Sequence, residues 1–329
     1  MTINYKSLLK SLTVVAIMVL SVNVSAQVTM KEVADAFNRG VQLAPTSPEM
    51  AIASFEQAIK YADEVGGDEA MAAKNNAMTQ IPKLYFDWAR SLAGKNDLNG
   101  ALTQLKNCIT ASTKYNNTQY PQMAKPTIAS IYLALGNNAM KEKKYDEAVA
   151  SYDSSIEYDP KSIKAYLGKV LLYNERGMPD KMVEAAMGGM NSNPRPADLA
   201  VVEDIKKVVS AYYFNSAQKT MQAKEYPATE ENLQNAIKFG MDANPIVYYQ
   251  LGLARISMNK WDDAVLALLD AADLDEGQAA DKAKYYFNLG KCYEALGNAP
   301  KACESYKKAL YGEFAAAAKF QIENVLKCG

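Results

Sequence analysis

The sequence contains no histidine. A Ser-His or Cys-His nucleophile pair is therefore excluded, as is any metal site built on imidazole. Cysteine is scarce, with four residues and no CxxC or other metal-ligand spacing among them. Neither a phosphate-binding glycine loop nor a nucleophile elbow is present. Charge of one sign is missing too: 36 Lys and Arg stand against 37 Asp and Glu, for a formal net charge of −1. With no Lys/Arg cluster in the sequence, a nucleic-acid binder that works by displacing counterions is not expected. Carboxylate-only chemistry remains open, and no spacing of acids points to a converging pair. The expectation is a chain without catalytic activity, cofactor or metal.

Only one long apolar run exists, SLTVVAIMVL at 11–20. Lys6 and Lys10 precede it, no acid accompanies them, and Val24-Ser25-Ala26 supplies small residues after it. That order of regions is a secretory leader over 1–26, cut after Ala26. The run is well short of the roughly 20 apolar residues a spanning helix needs, which favours cleavage over a retained anchor. No cysteine follows it, which argues against a lipoprotein. Export to the periplasm or the medium is expected, and loss of the leader lysines leaves the remainder more acidic than the whole chain.

What the sequence has instead is repetition, and internal periods are read first because they decide the fold. Over 131–160, Tyr132 is followed by Leu135 and Gly136, then by a turn at 141–145 and by Ala148, Tyr152, Ser155 and Ile156, closing at Pro160. The spacing recurs from Tyr248 (Leu251, Gly252, Trp261, Ala264, Leu268, Ala271, Ala272) and from Tyr286 (Leu289, Gly290, Tyr293, Ala302, Tyr306, Ala309, Leu310). Apolar residues three or four apart share one face of a helix. Gly136, Gly252 and Gly290 then sit opposite Ala148, Ala264 and Ala302, a small-against-small contact that lets two helices approach. One pair cannot bury its face alone, so the units must stack.

These residues resemble the tetratricopeptide-repeat family. The resemblance implies an all-α solenoid, an α-α superhelix of about seven helix pairs. The units read as 33–66, 82–115, 129–162, 163–196, 210–244, 245–278 and 283–314, with a capping helix at 315–329. The fourth departs most: Lys169 and Val170 replace Leu-Gly and Met182 replaces the small alanine, so its helices are expected to splay or rotate. The intervals Tyr85–Tyr132 and Tyr166–Tyr213 exceed the roughly 34 residues of a family unit. Leu199, Val202, Ile205 and Val209 make 196–209 amphipathic, which extends the next first helix. Asn116-Asn117 and Pro121 make 113–127 a loop with a shorter extension.

The inner surface of such a stack comes chiefly from first helices. The residue after each leading tyrosine is expected there: Phe86, Leu133, Leu167, Phe214, Tyr249 and Phe287, an apolar stripe for a partner's extended segment or helix. The same side chains could instead complete the core. Arg90, Asn137, Asn215, Gln218, Asn288 and Lys291 are polar neighbours able to hydrogen-bond a bound backbone, or merely solvated. Some members of the family grip a terminal carboxylate with a Lys/Asn/Arg clamp; here Leu133 and Leu167 stand where its first lysine would fall. Register across the last pair, with Leu289 facing Tyr306, sets Cys292 opposite Cys303 as a candidate disulfide, with Cys328 as a competing partner and two free thiols as the alternative. Asp270, Asp273, Asp275 and Glu276 lack the full calcium-loop pattern and read as a solvated helix end. The expected role is an exported adaptor or scaffold for a protein or peptide partner; the other reading is a small-molecule or glycan receptor using the aromatic inner face.

Overall fold

A computed structural model describes residues 28–328. The leader reading lies outside the described residues. Among those residues there is no strand, and fifteen α-helices follow one another. They are α1 (Met30–Leu43) and α2 (Pro48–Val65), α3 (Gly67–Gly94) and α4 (Leu98–Lys114), α5 (Gln119–Lys141) and α6 (Tyr145–Tyr158), α7 (Ile163–Glu175) and α8 (Pro179–Asn191), α9 (Leu199–Gln222) and α10 (Tyr226–Ala236), α11 (Pro245–Ser257) and α12 (Trp261–Leu274), α13 (Ala279–Ala295) and α14 (Ala299–Lys308), and the short α15 (Ala315–Phe320). No described helix is long and apolar enough to cross a membrane.

One turn recurs at the end of the first helices. Asn96, Lys143, Gly177, Lys224, Asn259 and Gly297 all have φ near +60 to +70°. The next N–H reaches back five residues in every case, as from Lys144 to Ala139 O, Met178 to Tyr173 O and Asn298 to Tyr293 O. That is the Schellman arrangement, which satisfies carbonyls left open at a helix end and turns the chain back at once. Two of the six sites are glycine, for which the left-handed conformation carries no Cβ penalty.

The chain divides into two compact units. The first runs through Ser91 and adds Lys106–Tyr120. Here α2 passes into α3 with no loop, because Gly66 (φ +69°) and Gly67 (φ +84°) both take left-handed backbone. Residues 67–81, left between the expected units, are therefore helix. Ala70 packs with Val33 and Ala62, and Ala77 and Ile81 pack with Ala51, Ile52, Phe55 and Ala58. Pro82 sits inside α3, where a proline costs about 3 kcal/mol of helix stability; this alanine-rich seam offsets it.

The second unit holds Leu92–Leu105 and the chain from Pro121 on. α9 starts at Leu199, so the amphipathic stretch is a helical extension, with Val202, Ile205 and Val209 buried in the largest core cluster. α5 starts at Gln119, leaving a shorter loop and a longer extension than the asparagines and Pro121 suggest. Pro121 falls in its first turn, where the missing N–H has no helical partner to lose.

The glycines face large side chains, three of them aromatic rings. A Cβ on Gly136 would stand 2.6 Å from the Tyr152 ring, one on Gly290 2.7 Å from Tyr306, one on Gly40 2.8 Å from Phe55 and one on Gly252 2.8 Å from Leu268. The partners of Gly136, Gly252 and Gly290 each lie one turn beyond the expected alanine, which is itself fully buried. Small against large is thus the rule. Tyr152 is also met from the other side, where a Cβ on Gly168 would stand 2.5 Å from its ring. In α7 and α8 the scheme is reversed: Tyr166 on the first helix lies over Gly188 and Gly189 on the second. The fourth pair therefore stays in contact while burying Val170 and Met182 completely.

The cysteine expectation needs correction. Cys303 is bonded to Cys328, with Cα atoms 5.8 Å apart, and Cys292 is a buried free thiol. The register on α13 is one residue off: Gly290, not Leu289, meets Tyr306. Leu289 and Cys292 turn the other way, into a cluster with Ala264, Val265 and Leu268 of α12. Burial pushes the thiols of Cys292 and Cys108 up to about 11. Both should resist iodoacetamide at mildly alkaline pH in the native chain and react once it is denatured, because the thiolate is the nucleophile. Intact-mass measurement reads this directly; rapid native labelling of either would contradict their burial.

Candidate partner-binding groove

Within the second unit, first helices α5, α7 and α9 present two clefts that share Leu171. The first, about 430 Å³, is lined by Leu133, Asn137, Met140 and Lys141 of α5, Tyr152 of α6, and Lys164, Leu167, Gly168 and Leu171 of α7. The second, about 470 Å³, runs from Leu171 and Asn174 of α7 to Lys207, Val208, Ala211, Tyr212, Asn215, Ser216 and Lys219 of α9. Leu171 is 43% exposed between them. The two adjoining clefts, taken together as one groove, are lined by leucines, one asparagine from each first helix, and lysines.

Local chemistry fixes this surface. Tyr152, held between Gly136 and Gly168, donates its hydroxyl to Asn137 Oδ1 at 2.9 Å. Burial pushes the phenol's pKa up, so it stays a donor. Asn137 keeps its amide NH₂ for a ligand, and exposed Asn174 and Asn215 each offer a donor and an acceptor. No nucleophile-base pair lines either cleft, and no group of three Cys, Asp or Glu able to hold a metal occurs among the described residues. Asp275, from the acidic run, accepts from the Tyr285 hydroxyl at 2.7 Å and from the Gly277 N–H; the tyrosine's hydrogen bond, then that of Gly277, hold its carboxyl below the usual range.

Of the expected stripe, Leu133, Leu167 and Asn137 come together in the first cleft. The aromatics do not join them. Phe86, in the first unit, is buried against Tyr120 with ring centroids 6.0 Å apart. Phe214 packs with Ala217, Leu233, Val247 and Leu251. Tyr249 meets Tyr285 edge-on at 5.3 Å, and Phe287 lies between Tyr306 and Phe314. These rings fill seams between neighbouring helices, so the core alternative holds for them. Arg90, Gln218 and Lys291 are exposed but line neither cleft; Lys291 sits 5.9 Å from the Phe287 ring.

Leu171, Asn174, Val208, Tyr212 and the four lysines escaped the sequence reading. Counting from Tyr213 selects Phe214, yet Tyr213 is itself drawn onto Phe239 at 6.1 Å. The extended α9 therefore presents Val208, Tyr212, Asn215 and Lys219, residues at helical spacing on a neighbouring stripe. Their periodicity was visible; the choice of stripe was not.

A further cleft of about 500 Å³ lies on α1 and α2 in the first unit. Its lining includes Glu32, Asp35 and Arg39, a mixture that selects no single ligand charge.

Comparison with known proteins follows the repeat. Tetratricopeptide-repeat profiles match residues 129–162 and 249–319. The chain is similar to Hsp70-Hsp90 organizing protein 3 of Arabidopsis thaliana, 25% identical over 149 residues, covering 42% of this chain and 26% of that protein. It is 26% identical over 149 residues to Hsp70-Hsp90 organizing protein 1 of Glycine max, with the same coverage. The match thus spans about a quarter of the length of these curated relatives. Among solved structures, it resembles MamA (TM-score 0.30, 20% identity, 60% of this chain and 96% of that one). YrrB, a TPR protein described as having an unusual peptide-binding site, gives 0.30 and 19%, over 58% and 91%. PilW, a type IV pilus biogenesis factor, gives 0.28 and 15%, over 73% and 99%.

Proposed function

We propose, for a chain built from tetratricopeptide repeats, the role of a non-catalytic exported adaptor that holds a protein or peptide partner in the α5–α7–α9 groove. The observation that carries it is the pair of clefts sharing Leu171, open to solvent and lined by leucines and free amides. An extended segment laid there would set apolar side chains on Leu133, Leu167, Leu171 and Tyr212. Its backbone would exchange hydrogen bonds with Asn137, Asn174 and Asn215. Export is supported by the leader pattern at 1–26 and by the Cys303–Cys328 bond, which persists in an oxidising compartment. The glycan-receptor reading loses its support, since Phe214, Tyr249 and Phe287 are engaged in helix seams.

The test is capture of cross-linked partners from native envelopes with residues 27–329 as bait, beside a Leu171→Glu, Asn215→Ala bait of equal helicity. Burying a carboxylate against the lining leucines should lower recovery of a specifically captured protein at least about tenfold, since an unpaired charge placed in an interface costs several kcal/mol. Recovery of the same proteins by both baits would remove the groove from the function.

A further inference from the structure

We infer that the segment taken by this groove is acidic, with carboxylates alternating with apolar side chains. The inference rests on the groove reading above and adds the partner's chemistry. Four lysines, Lys141, Lys164, Lys207 and Lys219, line the two clefts, and no Asp or Glu lines either. Their pairing differs from that of lysines nearby. Lys169, on α7 but outside the clefts, is bonded to Asp153 at 2.6 Å, and Lys206 on α9 to Glu203 at 2.7 Å. In the groove, Lys207 has only a long 3.6 Å contact with Asp204. Lys141, Lys164 and Lys219 have no ion pair among the described residues.

A chain with a formal net charge of −1 thus keeps, along these clefts, four lysines of which only Lys207 meets a carboxylate. Charges separated by more than about 8–10 Å are screened at physiological salt, so only a ligand seated in the groove feels them. The lysines line the same clefts as Leu133, Leu167 and Leu171. An extended segment points successive side chains to opposite sides, so one that alternates acid and apolar residues can meet lysines and leucines together. Of the polyanions, an acidic peptide fits these leucine-lined clefts better than nucleic acid, because their two aromatic residues are Tyr212 and a Tyr152 whose ring is buried, not a series of open rings on which bases stack.

The experiment pans a randomised dodecapeptide display library on the full chain and measures the selected peptides by fluorescence anisotropy. Comparison proteins are Leu171→Glu and a quadruple Lys141→Gln, Lys164→Gln, Lys207→Gln, Lys219→Gln variant, both checked for native helicity. Selected peptides should carry net negative charge. They should lose about tenfold or more in affinity on the quadruple variant, and weaken as salt rises to about 0.5 M. Neutral or basic peptides that depend on Leu171 but not on the lysines would overturn the acidic partner and leave the groove standing. Peptides indifferent to Leu171 would overturn both. Lysine-dependent binding of a twelve-nucleotide thymidine oligomer, without enrichment of acidic peptides, would overturn the inference in favour of nucleic acid.

Discussion

Replacing Tyr152 by alanine should destabilise the α5–α7 region by about 3–5 kcal/mol, the range for emptying a fully buried aromatic site. Tyr152 is 1% exposed, and its ring occupies the slot between Gly136 and Gly168. The slot cannot close easily, because Ala148, Ile163 and Ala165 around it are already fully packed. Tyr152→Phe separates packing from polarity: it removes only the hydroxyl bond to Asn137, a loss of about 1 kcal/mol. Gly136→Ala approaches the same contact from the other side. Alanine gains about 1 kcal/mol of helix propensity, but a methyl 2.6 Å from the ring forces the side chain to move, at about 1–3 kcal/mol. Overpacking therefore wins or balances, and the variant should not be more stable than the parent. Stacked repeats melt in pieces, so hydrogen exchange over α5 to α7 is the measurement of choice beside a urea titration. A loss below about 1 kcal/mol for Tyr152→Ala would mean the slot relaxes and the ring is no wedge. Tyr152 also lines the first cleft, so the alanine variant should bind partner more weakly even where it remains folded.

How far the sequence reached can be judged at particular residues. The helix pairs were legible because glycine, alanine and tyrosine recur at fixed offsets, and α9's extension because Leu199, Val202, Ile205 and Val209 keep helical spacing. The start of α3 was not read at all, since 67–81 fell between two expected units; Gly66, Gly67 and Pro82 at its edges are residue types that ordinarily interrupt a helix. In the fold the two glycines make a turn without a loop, and the proline is tolerated inside a buried seam. The early start of α5 was masked by Asn116-Asn117 and Pro121, which are turn-forming residue types. At the groove, Leu133, Leu167, Asn137 and Asn215 were found, whereas the expected aromatics lie elsewhere. Large rings one position along a first helix gain more by filling a seam between helices than by facing water. Shorter and polar residues are left to form the open surface. Sequence spacing gives the period of a face, but which of two adjacent stripes is buried depends on the neighbouring helix.

The C-terminal bond offers a second large effect, and one that separates the two readings of the cysteines. Reduction of Cys303–Cys328 should cost the C-terminal segment up to about 3 kcal/mol, the chain-entropy value for a closed loop of this order, the two residues being 25 apart in sequence. The segment has little else to hold it. α15 is only six residues long, and the segment's contact with the last helix pair rests on Ala318, Ile322 and Leu326 packed with Ala302, Tyr306 and Ala309. Amides of 315–328 should therefore exchange much faster in dithiothreitol, while those of α5 to α9 keep their protection. Cys328→Ser should reproduce the reduced state and respond no further to the reductant; Cys292→Ser should remain fully sensitive to it. The reverse pattern would restore the Cys292–Cys303 pair suggested by helix register. Cys292 faces α12, whereas Cys303 on α14 is reached by the returning chain end, and it is this division of α13's two sides that sets which sulfur Cys303 meets.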